Sequence, residues 1–355
     1  MLRFREYLNE TRQVEGIQHL EHPADLAFDG YTESKRALAT LNGASNGFLT
    51  GHPMTRKIDD KLSFQVKKSG DKVGVKYKGY NGDYSYSHAD LRNHYDGKPH
   101  MVEHLGNVLS HVGKVLQHDG TYQGGLMSTD KTNRSETATT ISHKPNTVEY
   151  TTAKNTEEGK KLKASKISIT LHTKINGDGS VRPVDNSEFK SHPDVHVVPH
   201  TVKTGTVPNY EHQKKYKDLL VQLKDDVEST KKSNHLEGYS KHLRKYANKC
   251  VRTGETPSTD GFKQHLTGEY KKPEDKLTHI DNNKQKFDKT FTVHNKLQMA
   301  TNAIADGHDH NDQHDPGAWK SKIGELSAGE GYVYNGLKIV NRHVFSRANF
   351  AKRTQ

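Results

Sequence analysis

Residues 55–66 read Thr55-Arg56-Lys57-Ile58-Asp59-Asp60-Lys61-Leu62-Ser63-Phe64-Gln65-Val66. The alternating pattern that begins at Phe64 resumes after a Ser-Gly-Asp turn at 69–71 and continues through residues 73–77. Two β-strands joined by a glycine turn are predicted from this pattern. Lys57, with a carboxylate two residues later at Asp59, therefore stands at the entrance of a hairpin.

Lys57 is a candidate nucleophile. A lysine amine that attacks the α-phosphate of a nucleotide forms a phosphoramidate, and it must be partly deprotonated and held in line to do so. Neighbouring positive charge and partial desolvation lower a lysine pKa, and Arg56 and Lys61 supply such charge in the sequence. The alternative is a solvated strand entrance, because Lys-x-Asp arises by chance in a lysine-rich chain. This stretch alone leaves both interpretations open.

The composition favours a lean core and an anionic partner. Only 30% of the 355 residues are hydrophobic and the mean hydropathy is -0.98, which predicts long polar loops around one compact region. The net charge of +11 suits a nucleic acid or a nucleotide, although solubility alone would also explain it. The single cysteine, Cys250, excludes an intramolecular disulfide and a multi-cysteine zinc site. No apolar run reaches the roughly 18 residues that a membrane span needs, so no membrane partner is expected.

Periodicity predicts a strand-rich part followed by a helical part. A helix over 32–42 precedes the Lys57 hairpin, and an Asn-Gly hairpin over 329–342 follows the helical part. The loops of interest are polar stretches at 130–138 and 306–316. Further elements are helices over 101–109, 154–165, 216–227, 236–246 and 287–304, and strands over 120–128, 166–173 and 194–198.

The stretch 306–316 is rich in histidine and aspartate. Two interpretations stand: a divalent-metal site, or a flexible polar loop, because no regular element is expected to fix the ligand spacing. The residues concerned are His308, His310, His314, Asp309, Asp312 and Asp315.

The first ten residues form a short amphipathic segment, with Leu2, Phe4, Tyr7 and Leu8 among charged residues, and they contain no secretory signal. The segment resembles the capsid-targeting peptides of internal head proteins in T-even-like bacteriophages. Leu8-Asn9-Glu10 matches the Leu/Ile-x-Glu triplet that the prohead protease of these phages cleaves. The resemblance implies a protein packaged in the virion head, and then present in the host cytoplasm, with the capsid and that protease as partners. An ordinary N-terminal helix is the alternative.

Four short motifs occur in a fixed order along the chain. They are Lys57-x-Asp59, Tyr122-x-Gly124-x-Leu126, Glu330-Gly331-x-Val333 and Leu337-Lys338-x-Val340. In this order they resemble the motifs of the covalent nucleotidyltransferase superfamily, which includes ATP-dependent DNA ligases, RNA ligases and mRNA capping enzymes. Residues 19–26, 144–150 and 337–350 resemble more closely a ligase-like family of large tailed, T-even-like bacteriophages.

This resemblance implies an α+β fold, with a ligase adenylation domain-like core of antiparallel sheets and flanking helices. The expected organisation is a targeting peptide at 1–10, a first part of the core at 11–205, a helical insertion at 206–305 and a completion of the core at 306–355. The last segment would carry the fourth and fifth motifs. The implied cofactors are ATP and Mg²⁺, and the implied partner is DNA or RNA.

The resemblance also assigns roles. Lys57 would take AMP, with Asp59 in the same motif. Glu330 would lie near the metal and the α-phosphate, and Lys338 would neutralise the phosphates and help pyrophosphate to leave. The residues implied to contact the nucleotide are Arg56, Tyr122, Gly124 and Tyr150, of which Tyr150 would stack on the base.

Four positions depart from the motif pattern. Asp60 stands where the family has glycine, Leu62 where it has arginine, Gly125 where it has an acidic residue, and Val340 where it has a second lysine. Loss of the ribose carboxylate or of the arginine would each lower the rate about a hundredfold. The alternative function is therefore a catalytically degenerate ligase-fold protein, packaged in the phage head, that binds nucleic acid.

Overall fold

The structure is a computed structural model that describes residues 20–46, 54–178, 180–184, 186–202, 207–208, 210–231, 236, 238–315 and 319–353. It is an α+β protein with mostly antiparallel sheets. The helices are α1 (Tyr31–Ser45), α2 (His88–His94), α3 (Pro99–Val112), α4 (Glu157–Ala164), α5 (Tyr210–Ser229), α6 (Ser240–Thr253), α7 (Thr259–Glu269), α8 (Glu274–Asn282), α9 (Lys284–His314) and α10 (Arg342–Arg353), with 3₁₀ helices at Pro23–Asp29 and Asn186–Glu188.

The strands follow the same chain order. They are β1 (Thr55–Arg56), β2 (Leu62–Ser69), β3 (Lys72–Tyr77), β4 (Gly120–Thr129), β5 (Arg134–Glu136), β6 (Thr140–His143), β7 (Glu149–Ala153), β8 (Ile167–Ile175), β9 (Val181–Pro183), β10 (Val195–Val197), β11 (Lys320–Lys322), β12 (Tyr332–Tyr334) and β13 (Leu337–Ile339). The N-terminal segment that resembles a targeting peptide lies outside the described residues.

The described chain divides into two compact units. The first comprises residues 58–201 and 319–324, and the second comprises 20–57, 202–315 and 325–353. The second unit therefore joins the early and late parts of the chain to the helices that the sequence had set apart as an insertion. Among the described residues, no helix combines the length and the apolar character needed to cross a membrane.

The first unit contains two sheets. The predicted hairpin is confirmed: β2 and β3 pair with Val66 opposite Val75. It forms one edge of a six-stranded sheet, ordered β10-β8-β4-β2-β3, in which β9 also pairs with β8. Helix α3 packs on this sheet, and its Leu105 and Val108 share a core with Phe64. The second sheet has the order β11-β7-β6-β5, so the expectation of a loop throughout 130–138 is wrong at strand β5.

The second unit is built from helices around a three-stranded sheet, ordered β1-β12-β13. The predicted Asn-Gly turn between β12 and β13 is confirmed, with φ of 48° at Asn335 and 73° at Gly336. Both angles are positive, as a two-residue turn of this kind requires. One core of this unit joins α1, α5 and α9 to the sheet, with Leu41, Leu223 and Leu297 fully buried.

An arginine is buried inside the second unit. Arg342, at the start of α10, is 2% exposed and donates to Asp25 at 2.9 Å and to Gln298 at 3.3 Å. It also donates to Asn248. Although burial alone would raise it, the charge of Arg342 holds the pKa of Asp25 well below its usual value. This network links the first 3₁₀ helix to α6, α9 and α10.

Candidate functional site

Lys57 directly follows β1, and the pairing of β1 with β12 fixes its position. Arg56 pairs with Tyr332, and the Lys57 N–H donates to the Gly331 carbonyl at 2.7 Å. Glu330 precedes Gly331, so the ladder brings Glu330 beside Lys57. Lys57 Nζ and Glu330 Oε1 form an ion pair in which the side chains are 27% and 9% exposed. Two residues that are 273 positions apart in the chain therefore meet directly.

Lys338 lies on the adjacent strand, β13, opposite Val333. Thr55 also pairs with Val333, so these three residues form one row across the sheet. Because side chains alternate between the two faces of a strand, Lys57, two residues beyond Thr55, is on the same face as Lys338. The opposite face is apolar and buried in the core, through Tyr332, Tyr334, Leu337 and Ile339. The candidate nucleophile and the candidate phosphate-binding lysine thus share one face of one sheet.

His22 lies within electrostatic range of both lysines, and it was not selected from the sequence. Burial and the positive charge of Arg342 hold the pKa of His22 well below its usual value. Asp25 opposes this shift, while Lys338 and Lys57 add to it. Its Nδ1 is buried and has no hydrogen-bond partner among the described residues. His22 is therefore a buried, neutral ring within electrostatic range of the two cations. In the sequence, the only indication of His22 was its position within residues 19–26, one of the segments that carry the resemblance.

Helix α9 supports the residues on either side of the Lys57–Glu330 pair. Asp312 accepts two hydrogen bonds from the guanidinium of Arg56, at 2.6 and 2.7 Å, in a bidentate ion pair. The same carboxylate accepts a hydrogen bond from the hydroxyl of Tyr332 at 3.1 Å. Arg56, which the resemblance assigned to the nucleotide, is thus bound to α9 and fixes the strand that ends at Lys57.

Asp309, one turn earlier in α9, holds the loop that carries Glu330. The Gly329 N–H donates to Asp309 at 3.1 Å, and the Tyr332 hydroxyl lies 2.9 Å from its other oxygen. Burial raises the pKa of Asp309 to about 7, against the effect of these hydrogen bonds and with a contribution from the charge of Asp312. A protonated Asp309 can donate to the Tyr332 oxygen while Tyr332 donates to Asp312. One proton on Asp309 therefore completes the hydrogen-bond chain.

These contacts correct the interpretation of 306–316. The segment is helical as far as His314, so the expectation of a flexible loop is wrong. The helix continues because its polar residues are buried and bonded; His308, for example, donates to the Ala44 carbonyl at 3.1 Å, and burial lowers its pKa to about 4. In the part of the chain that the structure describes, no three His, Cys, Asp or Glu side chains are arranged to hold a metal ion.

Asp59 lies in the first unit and is 5% exposed. Its carboxylate accepts hydrogen bonds from the backbone N–H groups of Thr147 at 2.6 Å and Val148 at 2.8 Å, and from the Asn146 amide at 3.0 Å. Its own N–H donates to the Tyr150 hydroxyl at 2.8 Å. Asp59 therefore anchors the segment 146–150, one of the segments that carry the resemblance.

The other residues that the resemblance assigned to the nucleotide lie inside the first unit. Tyr122 is fully buried and its hydroxyl donates to the His118 carbonyl at 3.1 Å. Tyr150 is 5% exposed. A Cβ at Gly124 would lie 2.0 Å from the Thr170 carbonyl oxygen, so glycine is needed for the close approach of β4 to β8. Tyr122 and Gly124 thus serve the packing of β4, and the ring of Tyr150 is enclosed.

Asp60 occupies the space beside Gly125. A Cβ at Gly125 would lie 2.3 Å from the Cβ and Oδ2 of Asp60, whose oxygens both accept from the Ser63 hydroxyl at 3.0 Å. The nucleotidyltransferase motifs that the chain resembles have glycine at the first of these positions and an acid at the second, so the two residue types are exchanged relative to that pattern. Leu62 and Val340, the remaining departures, are buried at 8% and 3% exposure.

The fold and the site define an α+β protein that carries a lysine–glutamate pair on one face of a sheet. A family model described as "Family of unknown function (DUF6267)" matches residues 81–354, which is most of the chain, and the protein belongs to that family. The matched range includes Glu330 and Lys338 and begins after Lys57. Neither the curated proteins nor the solved structures contain a match to this chain.

Proposed function

We propose that the protein is an ATP-dependent nucleotidyltransferase that resembles DNA or RNA ligases and acts through a covalent lysyl-AMP at Lys57. The observation that carries this proposal is that Lys57, Glu330 and Lys338 come together on one sheet. Lys57 is more than 270 positions away from Glu330 and Lys338 in the sequence. The motif order named these three residues together. Antiparallel pairing of β1, β12 and β13 gives them a common location.

The Lys57–Glu330 pair supports transfer of AMP from ATP to the lysine. The amine nitrogen of Lys57 attacks the α-phosphorus of ATP, the bond from that phosphorus to the β-phosphate oxygen breaks, and pyrophosphate leaves with the electron pair. Lys57 must first lose a proton, and Glu330, in direct contact with its Nζ, is the base positioned to take it. Lys338 supplies a fixed positive charge to the phosphates from the same sheet face.

Glu330 is also the residue that fits Mg²⁺. Magnesium sites in nucleotide enzymes commonly use one or two carboxylates together with phosphate oxygens of the substrate, so a single carboxylate suffices on the protein side. When bound, the ion supplies charge neutralisation to the phosphates. On the protein side, Lys338 supplies the positive charge.

A labelling experiment tests the proposal. The purified protein, incubated with Mg²⁺ and ATP labelled at the α-phosphate, should gain one covalent label, and Lys57→Ala should abolish it. Lys67→Ala, which removes an exposed lysine of β2, is the matched control and should label like the wild type. Equal labelling of the Lys57→Ala protein would refute the assignment of the nucleophile.

A second candidate function is a degenerate ligase-fold protein that is packaged in the phage head and binds nucleic acid. The observation that favours it is that Arg56, Tyr122 and Tyr150 are engaged within the protein and not presented to a ligand. This candidate predicts no covalent label, salt-sensitive binding of DNA or RNA, and a mature N-terminus at Thr11 in virion-derived protein. A cytoplasmic protein that keeps Met1 and carries a label would exclude it.

A further inference from the structure

Helix α6 carries basic residues without any acidic residue. Its sequence, SKHLRKYANKCVRT, contains five Lys or Arg residues and no Asp or Glu. Lys241, Lys245, Lys249 and Arg252 are exposed and recur at intervals of four, four and three residues. That spacing puts them in one stripe along the helix, about 16 Å long at 1.5 Å per residue. A helix face that is merely solvated usually mixes both signs of charge.

A groove runs beside this stripe. It has a volume of about 370 Å³ and is lined from α6 by Lys245, Lys249 and Arg252 and from α7 by His265 and Glu269. Glu269, the acidic residue of the lining, forms an ion pair with Lys245. The groove therefore carries excess positive charge.

Burial and the charges of nearby lysines lower the pKa values of two histidines next to the stripe. Burial and the charges of Lys276, Lys241 and Lys245 lower the pKa of His242. Burial also lowers the pKa of His265, where Glu269 opposes the shift and Lys249 and Lys245 add to it.

Helix α10 extends the same surface. Its sequence, RHVFSRANFAKR, also lacks acidic residues, and it packs against α6. The exposed Arg347 reaches the end of α6, where its guanidinium carbon lies 3.5 Å from the place that a Cβ at Gly254 would take. We call the surface formed by Lys241, Lys245, Lys249, Arg252 and Arg347 the basic face.

We propose that the basic face binds the phosphodiester backbone of a nucleic acid. A row of cations along a groove matches a regularly charged polyanion, and backbone contacts of this kind need no base recognition. An anionic membrane surface fits less well, because the apolar side of α6, with Leu243, Ala247 and Cys250, is buried in the core and cannot enter a bilayer. The proposal deepens the proposed function by locating its polynucleotide, but does not require that Lys57 be active.

The test uses the full chain and two variants of equal charge. The first variant carries Lys241→Gln, Lys249→Gln and Arg252→Gln, and leaves the Lys245–Glu269 pair intact. The control carries Lys214→Gln, Lys215→Gln and Lys224→Gln on α5, whose exposed lysines stand among acidic residues. Binding of a fluorescent single-stranded DNA is measured by anisotropy over a range of salt concentrations. The same proteins are tested for covalent labelling with ATP and for binding to phosphatidylserine vesicles.

We expect the first variant to lose affinity about tenfold or more at low salt, and the slope of log K against log salt to fall by about 2, as removal of three phosphate contacts on a single strand requires. The control should keep wild-type affinity and slope, and both variants should label like the wild type. Identical DNA binding by the two variants, no DNA binding by the wild type, or selective binding to vesicles would each overturn the proposal. A wild type that binds DNA through the basic face without labelling would refute only the proposed catalysis.

Discussion

The exchange between Asp60 and Gly125 predicts a strong energetic coupling between two positions that lie 65 residues apart in the sequence. The perturbations are Gly125→Ala, Asp60→Gly and the double variant. Gly125 sits in β4 between Ser63 on β2 and Thr170 on β8. Its φ is not positive, so alanine meets no backbone strain there and only the neighbouring side chain opposes it.

The magnitude follows from the distances. A Cβ at 125 would lie 2.3 Å from the Asp60 Cβ, whereas carbon atoms pack best at about 3.5–4.0 Å. Because the clash involves the base of the Asp60 side chain, that residue must move as a whole and lose its hydrogen bonds from Ser63. Overpacking of this kind costs about 1–3 kcal/mol, and the lost hydrogen bonding adds about 1 kcal/mol. Asp60→Gly alone costs about 1–2 kcal/mol, and the double variant should cost no more, which gives a coupling of about 2–4 kcal/mol.

The assay is urea unfolding followed by tryptophan fluorescence. The single tryptophan, Trp319, belongs to the first unit and stacks on His143 with ring centroids 4.8 Å apart, so its emission reports on the unit that contains the pair. Strictly additive free energies of unfolding would refute the coupling.

Three further predictions concern other buried groups. The pKa of Asp309 is about 7 in the folded protein and close to 3.8 when unfolded, so the free energy of unfolding should fall by about 4 kcal/mol as the pH rises from about 4 to above 7. Asp309→Asn should flatten that dependence in urea melts followed by circular dichroism, and parallel curves would contradict the explanation. Asp59→Asn should cost about 1–3 kcal/mol by Trp319 fluorescence, because Oδ2 accepts from two backbone N–H groups and Oδ1 accepts from the Asn146 amide, so the NH2 that replaces either oxygen would face a donor; a cost below about 0.5 kcal/mol would contradict this. Arg342→Met should cost about 3–5 kcal/mol in thermal or urea unfolding, and adding Asp25→Asn should recover much of it, since the main cost is an unpaired buried carboxylate; no recovery would argue against that cause.

The parts of the fold that the sequence predicted are those whose pattern is local. The β2–β3 hairpin and the Asn335-Gly336 turn follow from alternation and from residues that tolerate positive φ, and both are confirmed. Helix α9 was expected to end near residue 304. Its last turns are held by polar residues such as His308 and Asp309, which are buried through specific hydrogen bonds, and a hydrophobic period cannot register them.

For the candidate site, the motif order named Lys57, Glu330 and Lys338, and strand pairing gives these three a shared location. The neighbours that support them could not be read from the chain, because they depend on contacts between distant segments. Asp312 is known as the partner of Arg56 only once α9 and β1 are packed together. The relation of Asp60 to Gly125 likewise depends on where β4 runs beside the 58–62 segment.

The two carboxylates of α9 have a consequence for how this chain can be shortened. Residues 206–305 resemble an added module by composition, yet α9 begins within them and runs on, without a break, to the carboxylates that hold the residues flanking Lys57 and Glu330. Excision of the module would therefore leave Lys57 in the chain but remove the helix that holds its neighbours in position. Shortened versions of this protein will have to keep the whole of α9. A homologue that lacks α9 needs another element to hold β1 and the segment before β12 in position.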